Sequence, residues 1–131
     1  MGEDYEKLLE GHQYAESRGS KDPYKAIGDK GASLGAFQMK KIMYKDIQRI
    51  YPKVWGKTTY EQMQASPSHQ RGAARDGLRM LREHYKLSGD AAISGWNTGP
   101  GEARKGRINK PYVDTVKEGM RRGSPAMRRF K

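Results

Sequence analysis

The chain of 131 residues contains no cysteine. Disulfides, thiol nucleophiles and cysteine-ligated zinc are therefore excluded, while the compartment stays open. Histidine is scarce, and His12, His69 and His84 lack ligand spacing, so neither a metal site nor a cofactor is expected. Apolar residues make up only 34% and mean hydropathy is −1.03, so much of the chain must face water. No apolar run approaches the roughly 20 residues of a membrane span. Convincing apolar/polar alternation, the mark of a half-buried strand, is missing as well. The segment Gly2-Glu3-Asp4-Tyr5-Glu6 is acidic and polar and does not read as a secretory signal. Acidic residues are the minority, 15 against 26 basic, for a net charge of +11. A surface of that sign favours polyanions: nucleic acid, anionic lipid or an anionic cell wall.

What the chain does have is enough for one modest core: two Trp, eight Tyr and seven Met in a length that suits one domain. Tyr5, Leu8, Leu9 and His12 follow helical spacing, predicting an amphipathic helix over 4–16 with Glu16 near its end. From Arg18 to Gly35 the chain is rich in Gly, Asp, Ser and Pro, a long loop with room for one small hairpin. Ile42, Met43, Ile47, Ile50 and Tyr51 form the next helix, stopped before Pro52. Thr58 and Glu61 match a capping box for a short helix. Ser66-Pro67 opens a longer one with Ala74, Leu78, Leu81 and Tyr85 on one face, ending by Ser88-Gly89. Asp90 is the expected cap for Ala91 to Trp96, closed by the Gly99-Pro100-Gly101 turn. Asn109-Lys110-Pro111 starts a last helix to about Met120, with Tyr112, Val113, Val116 and Met120 inward. The expectation is a mainly α domain over 1–120 and a basic, frayed tail over 121–131, acting as a monomer.

Among candidate site residues Glu16 comes first. Most glutamates at a helix end are simply solvated. A carboxylate there is also mismatched with the helix dipole, and burial against Tyr or Trp would raise its pKa further, which suits an acid that holds its proton near neutrality. Asp29 is either an Asx-type turn residue or a second carboxylate that holds water. Gly31 and Gly35 permit a turn, and would also let a sugar ring approach the backbone. Gln38 caps backbone groups or offers a substrate both donor and acceptor. Trp96 and Tyr112 serve either core or cleft. Asn97 ends a helix, from where its amide could meet an acetamido group. One acid with small and polar residues converging on it suits cleavage of a sugar–sugar bond.

Together Glu16-Ser17, Gly31 to Gln38, Gln70 to Tyr85, Trp96 to Gly101 and Tyr112-Val113 resemble the lytic transglycosylase and goose-type lysozyme superfamily over about residues 5–120. That pattern is Glu-Ser after a helix, Gly-x-x-x-Gly-x-x-Gln, a central helix, a Tyr-Asn-Ala-Gly-Pro-Gly-like turn and a late Tyr-Val. The resemblance implies a lysozyme-like fold and cleavage of peptidoglycan glycan strands. Glu16 would act as general acid and then base; Gln38, Asn97 and Tyr112 would bind substrate or orient Glu16, with Trp96 and Gly35 beside the sugar and Ser17 in support. The chain departs from the pattern at Trp96, where Tyr is frequent, at Thr98, where Ala is frequent, and at Lys40, where some goose-type members carry an acid.

Two chemistries fit such a site. A transglycosylase needs Glu16 alone and forms 1,6-anhydromuramic ends. A hydrolase adds Asp29 to hold water, with about 6.5–9.5 Å between carboxyls in inverting geometry. The acid missing at Lys40 favours the transglycosylase. The basic surface would then attract anionic wall polymers. With no evident signal, the resemblance implies an enzyme of the bacterial cell wall that is carried on a phage particle or released in phage lysis. A nucleic-acid-binding domain ranks behind this, because the basic residues form no known reading motif. A catalytically inert wall-binding module is the third reading, and retention of Glu16 argues against it.

Overall fold

A computed structural model describes residues 5–28 and 31–122, so Asp29, the first four residues and the tail from 123 lie outside the described residues. The chain is mainly helical, with one two-stranded sheet among the described residues. No helix among the described residues is long and apolar enough to cross a membrane.

Helix α1 (Tyr5–Ser17) is the element on which the site is built. It was expected to be amphipathic, yet in its middle Leu8, Leu9, Glu10, Gly11, His12 and Gln13 are all buried. The reason is that it packs against both the last helix and the long helix that starts at Pro67. Its chief partner is the last helix, α8 (Lys110–Arg122), which turns Val113 and Val116 fully inward. The two helices approach backbone to backbone. A Cβ on Gly11 would lie 2.5 Å from the Val116 carbonyl oxygen, and one on Gly119 would lie 3.0 Å from the Gly11 Cα. Glycine at both places is a condition of this crossing.

After α1, Asp22 accepts from the Tyr24 amide and caps a single 3-10 turn, Pro23–Lys25. Strands β1 (Ile27–Gly28) and β2 (Ser33–Leu34) then form the small antiparallel hairpin, with Ile27 opposite Leu34 and Gly28 opposite Ser33. Helix α2 (Lys41–Ile50) follows and ends where Pro52 opens a short α3 (Pro52–Trp55).

The capping box of α4 (Tyr60–Gln64) is one residue later than expected: Thr59 accepts from the Gln62 amide and Gln62 reaches back to the Thr59 amide. Thr-Thr-Tyr-Glu-Gln contains two overlapping boxes, and only the second lets Tyr60 and Met63 turn into the core. Ser66 caps α5 (Pro67–Arg79) as Pro67 predicts. The long helix does not run straight to Ser88. It widens into a π-helical turn, Met80–His84, in which the Tyr85 amide bonds the Met80 carbonyl at 3.0 Å.

Helix α6 (Gly89–Thr98) begins after Ser88, so Asp90 lies inside its first turn and pairs with Lys117 at 2.9 Å instead of capping. Gly99 ends α6, and Pro100 starts a further short helix, α7 (Pro100–Arg104), where only a turn was expected. Helix α8 extends two residues past its expected end near Met120, to Arg122. The core that joins these elements is centred on Leu9, Phe37, Tyr44, Ile47, Met63, Met80 and Leu81.

Candidate active site

Glu16 is the last residue but one of α1, partly buried, and it opens onto a groove of about 650 Å³. From across the α1–α8 crossing, Tyr112 donates its hydroxyl to Glu16 Oε2 at 2.6 Å. One turn before Glu16, His12 Nδ1 stands 2.9 Å from the same hydroxyl. Asn109 sets this end of α8: its side-chain oxygen accepts from the Tyr112 amide at 3.2 Å, and its own amide bonds Ser94 Oγ at 2.9 Å.

The electrostatics of the three groups are one-sided. Burial, and then the Glu16 charge and hydrogen bond, push the Tyr112 phenol well above its usual range, so it remains a protonated donor. His12 is 1% exposed. Burial, with a smaller push from the Arg82 charge, lowers its pKa to about 3 and keeps the ring neutral. Among the described residues its Nε2 has no hydrogen-bond partner. The ring instead faces aromatic neighbours, with centroids 5.5 Å from Trp96 and 5.8 Å from Tyr112.

The other expected site residues divide by position. Gln38, Trp96 and Asn97 line the groove with Glu16. Gln38 has a left-handed backbone (φ 49), rare outside glycine, and its Nε2 bonds the Gly35 carbonyl at 2.9 Å to hold the turn. Trp96 Nε1 donates to the Phe37 carbonyl at 3.1 Å, tying α6 to the same turn. Asn97 is exposed and accepts from Asn109 Nδ2 at 2.8 Å.

Ser17 and Gly35 are not among the residues that line the groove. Ser17 is buried, and its hydroxyl donates to the Ala36 carbonyl at 2.7 Å, with the Gln13 carbonyl 3.2 Å away, pinning the end of α1 to the loop. Gly35 (φ 84) is also buried. A Cβ there would lie 2.5 Å from both Gln64 Oε1 and Gln70 Oε1, so its missing side chain faces the protein and not the groove.

Several residues of the site were not anticipated. Gln70, buried on the inner face of α5, accepts from the Ala36 amide at 3.0 Å and donates to the carbonyls of Tyr24 (2.9 Å) and Gln64 (2.7 Å). It locks the loop that carries Gln38. Its signal was a long amide three and four positions before Ala73 and Ala74. His12 had one too: a histidine on the apolar stripe of α1, four residues before Glu16, shares that carboxylate's helix face. Helix α2 gives the groove Ile42, Met43, Lys45, Asp46 and Arg49. Asp46 is the groove's other described carboxylate, and it is engaged by Arg49 and by the Tyr85 hydroxyl.

Among the described residues no group of three or more His, Asp or Glu could hold a metal ion. Comparison with protein-family models, curated proteins and solved structures found no match.

Proposed function

We propose that this protein cleaves the β-1,4 bond between N-acetylmuramic acid and N-acetylglucosamine in peptidoglycan, as a lytic transglycosylase on a lysozyme-like fold. The observation that carries the reading is Glu16, held by the Tyr112 hydroxyl at 2.6 Å and opening onto a groove of about 650 Å³. A groove of this size is ordinary for a small-molecule or oligosaccharide segment. The amide side chains of Gln38 and Asn97 on its wall suit the acetamido and hydroxyl groups of amino sugars.

In this reaction Glu16 gives its proton to the glycosidic oxygen as the C1–O bond breaks. The muramic acid's own acetamido oxygen supports the developing cation at C1. Glu16, now a carboxylate, takes the proton of the sugar's 6-hydroxyl, whose oxygen closes on C1 to form the 1,6-anhydro ring. The acid is thereby restored, and no second carboxylate takes part. Asp46 fits that economy, since its oxygens already serve Arg49 and Tyr85. Lys40, Lys45 and Arg49 make the groove cationic on that wall, which suits a polymer whose peptides carry carboxylates.

The test is to digest purified peptidoglycan and identify the products by mass spectrometry. Anhydro-muramic ends support the transglycosylase. Ordinary reducing ends would replace it with a goose-type hydrolase and give Asp29 the water. No release from any wall type would overturn glycan cleavage altogether.

A further inference from the structure

The buried ring of His12 takes no direct part in the reaction above, yet it bonds the hydroxyl that bonds Glu16. A phenol has a single hydrogen. If Tyr112 spends it on Glu16 Oε2, the contact of 2.9 Å with His12 Nδ1 needs its hydrogen from the imidazole. The alternative network reverses both bonds. Tyr112 would donate to a bare His12 Nδ1, leaving Glu16 to place its own proton on the phenol oxygen, where it is useless to a sugar.

We propose that His12 is a positioning residue whose Nδ1–H fills the acceptor side of Tyr112, keeps the tyrosine hydrogen on Glu16 Oε2, and so confines the reactive proton of Glu16 to Oε1. The surroundings favour this network. A neutral imidazole has one N–H, and placing it on Nε2 would bury a donor with no acceptor among the described residues, whereas a bare, unprotonated Nε2 in the same place costs less. Among the described residues, Tyr112 and, through it, Glu16 meet the ring at Nδ1, and the Arg82 charge also acts on it. Arg82 opposes a second proton on the ring and leaves it a single-donor device.

The role rests on the acid chemistry proposed for Glu16, but the hydrogen bonds can be read without turnover. In the full chain with 15N-labelled histidine, the His12 ring should show the neutral Nδ1–H tautomer near pH 7. Tyr112→Phe should shift that signal. A neutral Nε2–H tautomer would overturn the proposal whatever the activity. Kinetics then ask whether the relay matters. His12→Leu removes the donor and should cut kcat about tenfold or more, a part of the general-acid contribution, with KM unchanged. His12→Asn places an amide N–H near the Nδ1 position and should restore kcat to within about threefold of the parent. Equal losses in the two variants, or none in either, would reduce His12 to a packing residue. A parent that cleaves no wall would remove the reaction, while the tautomer would still decide the relay.

Discussion

Tyr112 and Glu16 lie 96 positions apart in the chain and share a 2.6 Å hydrogen bond. The bond joins the end of α1 to the first turn of α8, and it is the contact on which the proposed chemistry turns. It exists because two glycines let those helices approach closely enough.

Glu16→Gln keeps an oxygen for Tyr112 and removes the transferable proton. Release of muropeptides should fall by about 10²–10⁴-fold, with the melting curve close to the parent's. Sedimentation with insoluble wall should persist. A variant that still cleaves at the parental rate would remove Glu16 from the chemistry.

Tyr112→Phe removes the phenol donor from Glu16 and the partner of His12 Nδ1. Turnover should drop about 10- to 100-fold, since only the orientation of the acid is lost. Stability should fall by about 1–3 kcal/mol, the cost of a buried polar group left unpaired. Urea denaturation and initial rates measure the two effects separately.

Gly11→Ala puts a methyl group against the Val116 carbonyl, a backbone atom that no rotamer change can move. The expected cost is about 3 kcal/mol, at the top of the usual range for overpacking. Activity should fall with it as α8 and Tyr112 are pushed from Glu16. Gly101→Ala is the control. A Cβ there meets nothing within 4 Å, so it should be neutral or stabilising by up to about 1 kcal/mol.

Gln70→Leu removes the side chain that serves Ala36, Tyr24 and Gln64 at once. Three backbone groups, two of them buried, lose this partner, and a loss of about 3 kcal/mol is expected. Limited proteolysis between Arg18 and Gln38 should accelerate more than elsewhere. Uniform protection of that segment would show that Ser17 and Trp96 hold the loop without Gln70.

His12 makes stability depend on pH in a defined direction. Its folded pKa of about 3 lies below the ordinary histidine value of 6.5, because burial and then Arg82 disfavour the cation. The unfolded chain therefore binds a proton that the folded protein refuses. The contribution is complete above pH 6.5 and is lost as pH falls toward 3. Between pH 7.5 and 4.5 this one group should cost about 2–3 kcal/mol. Denaturation of the parent and of His12→Asn at both pH values isolates the effect. Equal losses in the two proteins would mean that His12 is protonated in the folded state.

Much of the local structure was legible in the sequence. The apolar spacing of α1, the Ser66-Pro67 start of α5, and the Gly-rich stretch before Gln38 each carry their instruction within a few residues. The errors were local as well: two overlapping Thr boxes before Tyr60, and an aspartate at 90 whose carboxylate went to Lys117. The π-helical turn at Met80–His84, with Met80 and Leu81 buried, had no signal in the local sequence.

The site was readable as a set of residue types and unreadable as an assembly. Short-range terms determined by sequence alone placed Glu16 at a helix end, Gln38 in a glycine turn and Asn97 before a helix stop. Only the tertiary structure decided that Ser17 and Gly35 face the protein, that Gln70 clamps the loop, and that His12, Tyr112 and Glu16 form one hydrogen-bonded line. The physical reason is that these outcomes depend on the Gly11–Gly119 crossing and on burial. Both arise from contacts between segments far apart in the chain, and no window of neighbouring residues contains them.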